Sequence, residues 1–139
     1  MLKRDYLIKQ FEEFGKVLAV LMGLKRDGKL PEFTSAVNDT ALKYTGLELE
    51  ETEKLPDDRL IAILTGERKL SDEQLKMLAD LLYAKADTYA GDSDGDKIRN
   101  AYRKALIVYQ FIQASATLPY SLDTHYKLEF LKQYFSEAG

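Results

Sequence analysis

From Leu75 to Leu118 apolar residues recur at spacings of three and four on both sides of a single break, Gly91-Asp92-Ser93-Asp94-Gly95. That period is helical, so the stretch reads as two antiparallel helices joined by an acidic turn. A pair of this kind covers one face of each helix and leaves the other faces to be covered by neighbours. The remainder of the chain supplies helices for that purpose. Three prolines and eight glycines leave little punctuation for a many-stranded sheet.

In chain order, the first helix runs from about Leu2 to Arg26, with Leu7, Phe11, Phe14, Leu18 and Leu21 on one stripe. This stripe packs onto its own domain or, alternatively, forms a homodimer seam. Asp27-Gly28 breaks the helix, and Pro31 starts a second with Phe33, Val37, Ala41 and Tyr44 inward and Gly46 as its stop. Leu47 to Glu53 reads as an acidic connector with two leucines tucked in, because no partner strand exists for its alternation. Pro56 opens a third helix carrying Leu60, Ile61, Ile63 and Leu64, ended by Gly66. Ser71 and Gln74 fit a capping box for a fourth helix, reaching about Ala90. The fifth helix, Asp96 to about Thr117, is apolar on so much of its circumference that it is expected to be central; Pro119 stops it. Ser121 caps a last helix with Leu122, Tyr126, Phe130 and Tyr134 on an inward stripe, thickened by Leu128, Leu131 and Phe135. The expected fold is all-α: one domain over residues 1–139, a compact bundle of five to six helices. Its N-terminal helices span about 2–66, and the hairpin with the final helix spans about 71–136.

The hairpin is similar to a tetratricopeptide repeat. Ala86 and Tyr89 match the small residue and tyrosine of the repeat's first helix, and Tyr102, Ala105 and Leu106 match the aromatic, alanine and leucine of its second. Lys85 and Ile98 depart from the pattern, which has leucine and alanine there, and the second helix overruns the usual proline. The N-terminal run from Asp5 to Lys25 resembles the start of small uncharacterised bacterial helical proteins with a tetratricopeptide-like C-terminal half. That resemblance implies a fold and carries no activity or site residues.

With 139 residues the chain suits one domain, and 45% hydrophobic with 31% charged residues is the balance of a folded protein. A net charge of −3 argues against a general nucleic-acid binder, which needs a basic surface. With no cysteine there is no disulfide, thiolate metal site or cysteine nucleophile. The apolar run Val17–Leu24 is far short of the roughly 20 residues of a membrane span, and acidic residues interrupt a signal-peptide reading. A soluble cytoplasmic protein with no cofactor is expected.

Chemical motifs fail on their spacing. Gly23 to Lys29 has the spacing of a phosphate-binding loop, but Leu30 stands where the metal-holding hydroxyl belongs. Asp92, Asp94 and Asp96 alternate like calcium ligands, yet Lys97 and Arg103 occupy the positions that need glycine and glutamate. His125 is the sole histidine, and its sequence neighbours Ser121 and Asp123 do not converge with it on a helix. One cluster invites a binding role. Arg99 and Arg103 lie one turn apart, as do Asn100 and Lys104, with Lys97 before them and Tyr89 and Tyr102 nearby. Such a set can receive a peptide carboxylate or another anion; a solvated face neutralised by the preceding aspartates is the plainer reading. Tyr83 and Tyr109 are further candidates for a groove lining. The leading expectation is a non-enzymatic protein or peptide interaction module, the alternative a self-associating structural protein.

Overall fold

The computed structural model describes residues 2–89, 95–119 and 121–138. The loop of Gly91 to Asp94, with the alternating Asp92 and Asp94, lies outside the described residues. Seven α-helices and no strand are found among the described residues: α1 (Leu2–Arg26), α2 (Leu30–Thr45), α3 (Leu49–Glu53), α4 (Leu60–Ala62), α5 (Asp72–Ala86), α6 (Asp96–Ser115) and α7 (Leu122–Ala138). The chain is all-helical, with one helix more than the upper expectation.

Most boundaries fall where the capping chemistry puts them. Gly28 takes φ 77°, Lys29 N–H donates to the Leu24 carbonyl at 3.0 Å and Gly28 N–H to that of Lys25 at 3.1 Å. This paired 6→1 and 5→2 closure ends α1 and uses Gly28 for its left-handed backbone. The Gly23–Lys29 stretch is thus a helix end. Gly46, at φ 73°, ends α2 in the same left-handed conformation. At the start of α5 the capping box is complete: Gln74 N–H donates to Ser71 Oγ at 3.1 Å, and Ser71 N–H donates to Gln74 Oε1 at 2.9 Å. Gln74 does more, donating from Nε2 to the Tyr44 carbonyl at 3.0 Å and so tying α5 to the end of α2.

Three expectations about boundaries are corrected. Leu47 and Leu49 are buried, but the connector is not irregular: α3 forms because Leu49 and Thr52, three residues apart, are both buried on one helical face. Gly66 does not end the third helix. A 3₁₀ turn (Asp57–Arg59) leads into α4, which widens into a π turn through Ile63–Glu67, closed by Arg68 N–H on the Ile63 carbonyl at 2.9 Å. The reversal comes at Lys69, φ 56°, which turns the chain so that Leu70 joins Leu60 and Leu64 in the core. In α6 the left-handed Ala116, φ 54°, ends the helix before Pro119 is reached.

α6 packs on four helices, as a central helix should, and α5, not expected there, shares the centre and is the more deeply buried of the two. Eleven of the fifteen residues of α5 are buried, against seven of twenty in α6. α5 packs on α1, α2 and α6; α6 packs on α3, α4, α5 and α7. Buried Glu73, Asp80 and Lys85 on α5 disguise it as half-exposed in the sequence. The α5–α6 pair is antiparallel: Asp72 meets Thr117, Asp80 meets Tyr109 and Tyr83 meets Tyr102. In α7 the stripe is reversed. Leu128 and Leu131 are buried with Tyr134 and Phe135 against them, Phe130 packs one side of its ring on Tyr83 and Tyr102, and Leu122 and Tyr126 face outward. α7 has one main support, α6, and a helix laid on one neighbour buries a single face.

Ala105 is wholly buried in α6 within the core. Ala105→Leu is therefore expected to overpack the core and lower unfolding free energy by about 1–3 kcal/mol, measured by chemical denaturation.

Candidate functional site

The six residues singled out from the sequence do not form one site. Lys104 is buried; its ammonium pairs with Asp57 and donates to Asn100 Oδ1 at 3.1 Å. Asn100 Nδ2 in turn donates to the Glu53 carbonyl at 2.5 Å. Arg103 Nε lies 3.6 Å from Asp57, and its guanidinium sits 4.5 Å above the Phe135 ring. These three side chains grip the segment between α3 and α4, holding it to α6. Arg99 stays exposed, 3.7 Å from Asp96 in its own first turn. The Tyr89 hydroxyl donates to Glu53 at 2.8 Å, between Lys85 and Lys97. Tyr102 belongs elsewhere, in an aromatic cluster with Tyr83, Phe130 and Tyr134 at ring separations of 5.6, 5.5 and 5.0 Å.

The neighbours that could serve His125 as a base are engaged in other contacts. Ser121 Oγ accepts from Thr124 N–H, capping α7, and Asp123 pairs with Lys127. His125 instead lines a cavity of about 240 Å³ with Lys76, Ile112 and Leu118, and stacks edgewise on Tyr126.

The concavity with mixed chemistry lies between α1 and α7, over one side of α5. It encloses about 360 Å³. It exists because α1 leans on α2 and α5, while α7 leans on α6. One wall is the Gly15, Leu18, Ala19 and Met22 side of α1, the base is Tyr83 and Ala84 of α5, and the other wall begins at Asp123 and Lys127 of α7. Packing does not require a glycine at position 15. A Cβ there would meet nothing within 4 Å, and its backbone is helical, yet glycine within a helix costs about 1 kcal/mol relative to alanine.

Beneath the groove is a buried charge network. The Asp80 carboxylate receives Lys76 Nζ at 2.8 Å, Lys127 Nζ at 3.3 Å and the hydroxyl of Tyr109. A carboxylate in the interior is tolerable only when paired and hydrogen-bonded in this way. Lys127 also reaches Asp123 at 2.8 Å and lies 5.4 Å over the Tyr83 ring. Burial works against its charge, but Asp80 and Asp123 prevail and hold its pKa above the ordinary 10.5, so Lys127 is a fixed cation. At the other end Lys25 donates to the Ala84 carbonyl at 2.7 Å and pairs with Asp87 at 2.5 Å. The signal for this network in the sequence is one aspartate inside Met77-Leu78-Ala79-Asp80-Leu81-Leu82, four residues after Lys76. A lone charge in so apolar a run marks a buried partner, although it does not say which.

The chain matches no known family model, no curated protein and no solved structure. Among the described residues no helix is long and apolar enough to cross a membrane, and no three His, Cys, Asp or Glu side chains are grouped to hold a metal ion.

Two measurements follow from these contacts. Lys104→Met removes the cation from Asp57 and Asn100 and is expected to cost about 1–3 kcal/mol, read from the shift in denaturant midpoint. Alkali is expected to unfold the protein through its tyrosines. Burial, then Asp80, raises Tyr109 well above the ordinary 10.0. Burial and the Glu13 hydrogen bond push Tyr44 up to about 12, and burial with Asp87 does the same for Tyr102. Unfolded tyrosines lose their protons near 10 while these keep theirs, so the stabilisation is intact below pH 10 and falls as pH rises towards 12. Denaturation followed together with phenolate absorbance should show the slowest-titrating tyrosines ionising with unfolding.

Proposed function

We propose that this chain is a non-enzymatic interaction module whose groove between α1 and α7 receives a peptide or helical segment of another protein. The carrying observation is Gly15: a destabilising residue, in the middle of a helix, facing open space at the wall of a concave site. A close approach by something outside the chain gives that glycine a purpose. Leu122 and Tyr126 add exposed apolar surface elsewhere on α7. The α5–α6 hairpin is read as a tetratricopeptide-like unit, with Ala86 and Ala105 wholly buried and Tyr102 beside them, and α7 as the first helix of an incomplete next repeat. Stacked helix pairs of that class create concave binding surfaces. The resemblance also implies a bacterial protein.

A second reading, self-association, is favoured by the same outward stripe of α7. It moves the seam away from α1, whose Phe14 and Leu21 are spent on the chain's own core. Tyr126→Lys would abolish a dimer seen by light scattering.

Gly15→Leu with Ala19→Leu fills the groove from an exposed helix face without touching the core. Capture from host lysate is expected to yield a stoichiometric partner with the wild type and to lose it with this variant, at unchanged or higher melting temperature. A partner retained by the filled variant would remove the groove from the reading.

A further inference from the structure

We infer that the groove's occupant is a basic amphipathic helix, an identification that rests on the interaction-module reading and sharpens it.

The shape of the site selects a helix over an extended segment. Both walls and the base are helices, whose backbone groups are bonded internally, so no free edge exists for strand addition. The α1 wall instead offers Gly15, Ala19 and Met22 at spacings of four and three, with Leu18 alongside. Small residues at such spacing let a second helix come close, and its own apolar row at i, i+3, i+4 and i+7 would lie on Leu18, Met22 and Ala84.

The charge at the site selects the sign. Lys25 and Lys127 line the groove with Asp80 and Asp123, and Asp87 pairs with Lys25. Cations and carboxylates are not equally presented. The Lys25 and Lys127 side chains are only 18% and 17% exposed, whereas those of their partners Asp87 and Asp123 are 53% and 64% exposed. The cations are turned inward and the carboxylates outward, one in the turn that follows α5 and one on the α7 wall. Burial, and after it both carboxylates, raise the pKa of Tyr83 at the groove base. A carboxylate offers about four lone-pair directions, and one lysine leaves the rest for a second cation. An arriving Lys or Arg would complete these pairs, while a Glu-bearing helix would meet two carboxylates already exposed. The net charge of −3 adds weak long-range attraction of the same sign.

The test uses three synthetic helical peptides with one shared apolar face and polar faces of Lys/Arg, Gln/Ser or Glu. Binding to the full chain is read by fluorescence anisotropy and by amide shifts at Ala19, Tyr83 and Lys127. The Lys/Arg peptide is expected to bind about tenfold or more tighter than the Glu peptide, to weaken with salt, and to lose about tenfold with Asp87→Asn plus Asp123→Asn. That double variant should fold, since Lys25 keeps the Ala84 carbonyl and Lys127 keeps Asp80. Equal or tighter binding of the Glu or Gln/Ser peptide, with Gly15→Leu/Ala19→Leu still blocking it, would overturn the basic preference and leave the groove standing. Absence of groove shifts with all three peptides would overturn the inference and the groove reading together.

Discussion

The carboxylate of Asp80 ties three helices together. It sits in α5, takes a hydroxyl from α6 through Tyr109, a cation from α7 through Lys127 and a cation from its own helix through Lys76. Its neighbours along α5 repeat the pattern. Gln74 reaches the end of α2, Ala84 accepts from Lys25 of α1, and Lys85 lies 3.4 Å from Glu53 of α3. Apolar burial drives the helices together, but burial has no direction. These polar ties have direction, and each fixes how one neighbour lies along α5. A buried carboxylate that loses a partner is costly, so rival arrangements of the same helices are penalised.

The groove is a consequence of where those ties fall. α1 is anchored to the C-terminal end of α5 by Lys25, and α7 is anchored to its middle by Lys127. Small residues at Gly15 and Ala19 stop short of the space left between them. The lysines that make the anchors point down into the fold, and that direction is what leaves Asp87 and Asp123 as the exposed charges. Structure and surface chemistry are thus set by the same pairs.

The basic run on α6 shows how a binding motif in sequence can be absorbed by the fold. Arg99, Asn100, Arg103 and Lys104 have the spacing of an anion site. Three of them find their anions and acceptors inside the chain, on Asp57 and the Glu53 carbonyl. Those partners lie more than 40 residues upstream, at 47 positions from Lys104 and from Asn100. Local spacing reports which side chains share a helix face; it is silent about what the opposite element brings.

Legibility therefore divides by range. The Ser71–Gln74 box, the glycine stops at Gly28 and Gly46 and the helical periods depend on residues within a turn of one another, and the sequence by itself determined them. It likewise determined that the chain is all-helical, since stripes at three- and four-residue spacing run almost throughout. The centrality of α5 was hidden, because Glu73, Asp80 and Lys85 give α5 the look of a half-exposed helix until their partners are in place. The face of α7 was hidden too: it carries two apolar stripes, and only the position of α6 decides that Leu128 and Leu131 turn inward while Leu122 and Tyr126 turn out. The groove, its glycine and its outward carboxylates were decided by tertiary structure alone, because each arises from the distance between helices far apart in the chain.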